Sequence, residues 1–314
     1  MSIDIKEITS KKDLKRFITF QFELYKGNPY YVIPLIDFEM STLRKDKNPA
    51  FDHAEAKYWI AVQDGKIVGR IAAIILDHEL KEKSLARFGW IDFVDDLAVS
   101  KALLETTKEW VSSKGAKSIH GPMGFTDLDF EGALTDGFDQ LATQATIYNH
   151  PYYIDHYKAW DLEVAATWVE LRGKAPSQNP EKVGRAVRII KERFKVKLKE
   201  FKKAKEILKY APGVFDVLNE AYEGLYGYYP LTPKQIDYYV DQYFGFVRKE
   251  FVCVIVDEED QVVGFALTLP SLSKAFQKAK GSLFPFGFIH VLKSFYKNDT
   301  ADLFLIGIKP AYQK

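Results

Sequence analysis

The 314-residue sequence has one cysteine, three methionines and almost no net charge: 44 Lys and Arg stand against 43 Asp and Glu, leaving +1. One cysteine excludes an internal disulfide and any cysteine-built metal cluster. Cys253 lies in the apolar run Phe251-Val-Cys-Val-Ile-Val256, so it reads as a strand residue rather than a nucleophile. The balanced charge carries no signal for nucleic acid or for an acidic partner. No apolar run approaches the roughly 18–20 residues of a spanning helix. Residues 1–12 are polar and charged, without the apolar centre of a secretory signal, so the expectation is a cytoplasmic protein. The histidines (His53, His78, His120, His150, His156, His290) show no metal-ligand spacing. His150 and His156 would not share a helix face, and no metal site is expected.

What is present is apolar and aromatic. Hydrophobic residues make up 47% and aromatic ones 15%, on a length too great for one ordinary core, so two domains are the first expectation. Residues 3–8 alternate as a first strand. Leu14, Phe17, Ile18, Phe22 and Tyr25 then recur at helical spacing, with Gly27 just past the end. Pro29, Pro34 and Pro49 punctuate an extended stretch, 28–51. Residues 58–76 hold a hairpin about Asp64-Gly65, a strong turn signal between two β-rich arms. A strand over 86–94, an amphipathic helix over 97–114 ended by Gly115, and a strand over 118–123 follow. A Gly- and Asp-rich loop, a short helix opened near Pro151, and a closing strand over 163–171 complete the unit.

The junction 173–180 is the best boundary, and after a basic helix over 181–193 the order restarts. A strand over 194–201, a helical stretch over 202–223 broken at Pro212-Gly213, a second hairpin over 251–269 and a last strand over 302–309 are expected. The hairpins superpose as patterns, with Val68-Gly69 recurring as Val263-Gly264, which points to a duplicated unit. The domains are therefore 1–172 and 181–314, in an α+β fold.

That element order, with Ile119-His-Gly-Pro-Met-Gly124, Glu131-Gly-Ala-Leu-Thr-Asp-Gly-Phe-Asp139, Tyr148-Asn-His-Pro-Tyr-Tyr153, Pro230-Leu-Thr232, Val263-Gly-Phe-Ala-Leu-Thr-Leu-Pro270 and Leu283-Phe-Pro-Phe-Gly287, resembles the GNAT superfamily of acyl-CoA N-acyltransferases. More narrowly, it resembles bacterial two-domain GNAT-like proteins of the YghO type. The resemblance implies tandem GNAT-like domains, each a mixed sheet flanked by helices. It also implies a splayed central strand whose backbone pairs with the pantetheine arm of acetyl-CoA or a longer acyl-CoA. A Gly-rich loop and helix N-terminus then take the diphosphate. In the second domain Leu303-Phe-Leu-Ile-Gly-Ile-Lys-Pro-Ala-Tyr-Gln-Lys314 looks like that strand and the start of the loop. Leu305, Ile306, Gly307, Ile308 and Gln313 are the implied cofactor contacts, and the sequence ends within the motif. The resemblance thus implies an incomplete second domain and weak or absent acyl-CoA binding by this chain. The alternative for 302–309 is a plain apolar edge strand. In the first domain the equivalent strand, Trp90-Ile-Asp-Phe-Val94, runs into Asp95-Asp96, where two carboxylates stand in place of phosphate-binding glycines. That site reads as degenerate.

Other candidates keep two readings. Asp129 and Glu131, in the acidic loop 124–139, are substrate contacts or members of a solvated loop. Tyr228, with Tyr226 and Glu223 as catalytic candidates, falls where an acceptor loop would lie, or else packs. Residues 283–297 form either a core helix, with Phe288, Ile289, Leu292 and Phe295 to one side, or an apolar lid touching a membrane surface. The acceptor implied is a small-molecule or lipid-like amine. The rival class is a non-catalytic GNAT-fold protein that binds a ligand or partner.

Overall fold

In the computed structural model, which describes residues 2–313, the chain divides by its contacts into two units. Unit 1 is Met1–Glu163 with Ser271–Thr300, and unit 2 is Val164–Pro270 with Ala301–Lys314.

Unit 1 opens with β1 (Asp4–Glu7) and α1 (Lys11–Leu24), whose N-cap Ser10 accepts from the Asp13 amide at 3.1 Å. The Pro-punctuated stretch, read as extended, contains α2 (Ile36–Thr42). β2 (Ala54–Gln63) and β3 (Lys66–Leu76) follow, joined where Asp64 and Gly65 both take positive φ (50° and 76°), as a type I′ turn requires. Then come α3 (Asp77–Lys83), β4 (Leu85–Phe93), α4 (Leu97–Ser113), β5 (Ser118–His120) and α5 (Tyr152–Ala159). The sheet runs β1-β2-β3-β4-β5, antiparallel except for the parallel pair β4/β5. Alternation sorts its side chains to two faces. Trp59, Ala61, Ile71, Ala73 and Phe88 meet Val99, Leu103 and Val111 of α4 and Tyr153 of α5. Tyr58, Ile60, Ala72 and Ile74 meet Leu14, Phe17 and Ile18 of α1.

In unit 2, α6 (Glu181–Phe194) precedes β6 (Lys197–Leu198), α7 (Ala211–Tyr222), α8 (Pro233–Tyr243), β7 (Val252–Val256), β8 (Val262–Pro270) and β9 (Ala301–Ile308). The sheet β6-β7-β8-β9 is antiparallel throughout. Its registers repeat those of unit 1. Ala61 opposite Gly69 and Ile255 opposite Gly264 each precede a register shift, and Phe93 opposite Gly69 matches Ile308 opposite Gly264. Even the next backbone bond recurs, Val94 N–H to Val68 O and Lys309 N–H to Val263 O, each at 2.9 Å.

Five expectations are corrected. Residues 163–171 form no strand; Val164, Val169 and Leu171 are exposed, since alternation without a partner edge makes no ladder. The strand over 194–201 shrinks to two paired residues. Pro212 does not break a helix but sits in the first turn of α7, where its missing N–H costs nothing. Residues 271–300, read as part of the second domain, pack with unit 1 as an arm holding α9 (Ser273–Ala279) and α10 (Gly287–Tyr296). α10 buries Gly287 and Val291 and leaves Phe288, Ile289 and Leu292 partly exposed, so its packed face is not the one expected.

Candidate functional site

β4 and β9 hold the same place in the two sheets, and their outer edges decide what each unit can bind. Backbone groups alternate in an antiparallel pair, so a strand's every second residue turns both N–H and C=O away from its neighbour. On β9 the outward residues are Ile306 and Ile308; on β4 the counterpart of Ile308 is Phe93.

In unit 1 that edge is closed from within. Tyr152 donates to the Phe93 carbonyl at 2.5 Å, and the Tyr153 hydroxyl accepts from the Phe93 N–H at 3.2 Å. Tyr153 also stacks on the Phe93 ring at 4.3 Å, so α5 fills the space beside β4. The start of α4 is taken as well. Asp96 caps it, accepting from the Ala98 amide at 2.8 Å, and Asp95 meets His156 Nε2 at 3.1 Å while His156 Nδ1 meets Ser100 Oγ at 2.8 Å. A carboxylate on the orphan amides satisfies the helix dipole and repels a phosphate.

In unit 2 the edge is open. Ile306 is 60% and Ile308 39% exposed, and no strand pairs with the outer side of β9 among the described residues. The two outward carbonyls are held by side chains, Ile306 O by the half-buried Tyr222 at 3.1 Å and Ile308 O by the exposed Gln313 Nε2 at 2.8 Å. Leu305 and Gly307 face β8, and the Gly307 backbone lies too close to the Phe265 ring for a Cβ, which would come within 2.7 Å. Gln313, expected to open a phosphate loop, here folds back on the strand. Tyr222, not among the residues singled out as catalytic, and Glu220, paired with Lys309 at 2.8 Å, are polar α7 groups that reach β9 and the residue after it. Helical spacing alone could not separate Tyr222 from its neighbours Tyr226 and Glu223. Glu223 is the C-cap of α7, Tyr226 packs edge-on against Trp168, and Tyr228 donates to Asn219 Oδ1 at 2.7 Å. Cys253, on β7, is half-buried, and burial pushes its thiol up, away from nucleophilic use.

Unit 1 carries a second polar feature that sequence patterns did not show. β4 bulges where Arg70 pairs with Asp92 and Ala72 with Gly89, and Trp90 takes φ 42° there. The bulge delivers Asp92 and Trp90 to a cavity of about 50 Å³. Asp92 receives Arg70 at 2.6 Å and the hydroxyls of Tyr25 and Tyr153 at 2.9 Å each. Glu39 of α2 accepts from Trp90 Nε1 at 2.8 Å, and burial pushes its carboxyl up despite Arg70 nearby. In the loop after β5, Asp129 accepts from the Phe125 and Thr126 amides at 2.8 and 3.1 Å; burial still pushes it up to about 7. Burial and then the charge of Asp127 push Glu131 up to about 8, and its Oε2 is buried without a hydrogen bond. Glu79 shows the opposite outcome. Burial opposes its charge, yet hydrogen bonds from Arg87 and His120 hold it at about 2.

An antiparallel meander entering a bulged fourth strand, which in unit 1 then pairs in parallel, with helices on the faces, is the mixed, helix-flanked sheet that the resemblance to GNAT acyltransferases implies. No known family's sequence profile matches the chain. Two curated proteins resemble it nearly end to end. Protein YghO of Escherichia coli is 28% identical over 98% of this chain and 79% of its own length. Bacterial ceramide synthase of Caulobacter vibrioides is 25% identical over 98% of this chain and 80% of its own. Among solved structures, an aminoglycoside acetyltransferase from an uncultured soil metagenomic sample, in complex with sisomicin, aligns at 16% identity and TM-score 0.35. It covers 55% of this chain and 97% of that one. The chain is thus similar to YghO-like GNAT-type proteins over almost its whole length.

Proposed function

We propose that the chain serves acyl transfer from acyl-CoA to an amine, with acyl-CoA engaged along β9 of unit 2 and not in unit 1. The observation that supports this most is the contrast between equivalent edges. The polar groups of Phe93 are both taken by two tyrosines of α5, one of them buried, whereas the Ile306 and Ile308 carbonyls are held by one half-buried and one exposed side chain, Tyr222 and Gln313, that a pantetheine amide can displace. In that reading the strand orients the thioester beside a neutral amine, and backbone donors stabilise the developing oxyanion. Tyr222 and Glu220 lie beside β9 on the acceptor side; Glu223, Tyr226 and Tyr228 stand further along the same tyrosine-rich segment. Gln313 contributes by leaving Ile308 free when the ligand arrives.

The acceptor and acyl chain we infer to be lipid-like. One curated relative is named for ceramide synthesis, and the arm presents Phe284 (75% exposed), Phe286 (71%) and Tyr296 (88%), a surface suited to a membrane or a long apolar chain. The alternative, a non-catalytic binding protein, is supported by the sealed edge of unit 1, where the outward groups of Phe93 are taken from within. Mass spectrometry of N-acyl products separates the two, using acetyl-CoA and a long-chain acyl-CoA with short polar and long-chain amines. Long-chain amide should form, and Ile308→Pro, which removes an outward N–H and no β8 bond, should lower kcat/KM about tenfold, the worth of one hydrogen bond. No product with any pair leaves the binding-protein reading.

A further inference from the structure

We propose that the cavity of unit 1 is a binding site for a small organic ammonium ion, with Glu39 as its counter-charge. Its charge balance is the first ground. Arg70 pairs with Asp92 at 2.6 Å and also acts on Glu39, so the three charged groups on the wall, Arg70, Asp92 and Glu39, carry one net negative charge when all are ionised. Glu39 lines the cavity, is 7% exposed, and accepts a hydrogen bond only from Trp90, at Oε2, so Oε1 has no donor. A buried carboxylate oxygen without a donor is costly unless a cation or a proton meets it.

The aromatic wall is the second ground. Tyr25 and Tyr31 stack at 4.2 Å, and Tyr148 stands edge-on to both, at 6.0 and 6.1 Å. Tyr25 is sandwiched between Tyr31 and His150, so the rings left to line the space are Tyr31, Tyr148 and Trp90, an aromatic lining that favours an organic cation over an anion. The space suits a group of a few heavy atoms, such as an alkylammonium head. The wall is also held in place. Gln277 of the arm donates to the carbonyls of Pro29 and Tyr31 at 2.8 and 2.9 Å, and the Ile36 amide donates to Gly281 O at 2.9 Å. Gly281 admits no Cβ there, since one would come within 2.7 Å of the Phe22 ring. A wall fixed on both sides loses little freedom when a ligand enters.

This site does not depend on the acyl-transfer reading, because it lies in the unit whose strand edge is sealed and is tested without acyl-CoA. Titration calorimetry of the full chain should show saturable binding of ethylammonium chloride, with Kd on the order of millimolar for so small a ligand, and none of the neutral isostere ethanol. Glu39→Gln keeps an acceptor for Trp90 and should weaken ethylammonium binding at least roughly tenfold. Thr146, exposed at the rim, offers a second variant with little consequence for folding; Thr146→Lys places a competing cation at the mouth and should weaken binding comparably. If Glu39→Gln does not fold, Thr146→Lys decides alone. Equal binding of ethanol, no binding of ethylammonium, or parent-like affinity in the folded variants overturns the proposal.

Discussion

Asp92 accepts from Arg70, Tyr25 and Tyr153, residues 22, 67 and 61 positions away. In the sequence it is only a polar interruption of the strand Trp90-Ile-Asp-Phe-Val94, because nothing local marks a partner so far off. By contrast Asp96 was legible: an acidic residue just before an amphipathic helix has a local job, and it caps α4. Asp129 lies between these cases. Its place in a Gly- and Asp-rich loop was visible, but not that burial would push it up to about 7. The sign of its effect follows. A carboxyl raised in the folded state contributes stability that is fully present below its ordinary pKa near 4 and lost as pH rises through about 7, with Glu131 continuing the loss through about 8. Denaturant unfolding should therefore show lower stability at pH 8.5 than at pH 5. Asp129→Asn, which can still accept from the Phe125 and Thr126 amides, should remove about 2–3 kcal/mol of that drop. A variant that falls as steeply as the parent would mean that Asp129 is ionised in the fold throughout.

The hairpin β2/β3 was readable because its turn chemistry and its alternation agree. α2, α3 and α9 were not, since seven residues each carry too little periodicity to stand out from Pro- and charge-rich connections. α5 was read as a short helix, but its part in the fold comes from two hydroxyls placed on one backbone residue of β4. That difference between elements is measurable. Tyr153→Phe leaves the Phe93 N–H and one bond of Asp92 without a buried partner and should cost about 1–3 kcal/mol. Tyr222→Phe removes an exposed bond to Ile306 O and should cost less than about 0.5 kcal/mol. Comparable losses in the two variants would contradict the claim that the edge of β9 is loosely held.

At the scale of the molecule, the repeat seen between Val68-Gly69 and Val263-Gly264 proves to be a repeat of strand register, hairpin bulge and terminal backbone bond. The sequence pattern could show it because a glycine before a register shift and an apolar alternation are both local features. It could not show that residues 271–300, running between β8 and β9, pack with unit 1. Their anchoring rests on Gln277 and Gly281 meeting residues almost 250 positions earlier. The central claim is that duplication left two equivalent strands, one sealed and one open, and that acyl-CoA takes the open one. Backbone amide hydrogen exchange on the protein with saturating acyl-CoA tests it at both strands at once. The account predicts that exchange slows at residues 305–308 and is unchanged at 90–97; slowing at 90–97 with none at 305–308 would contradict it.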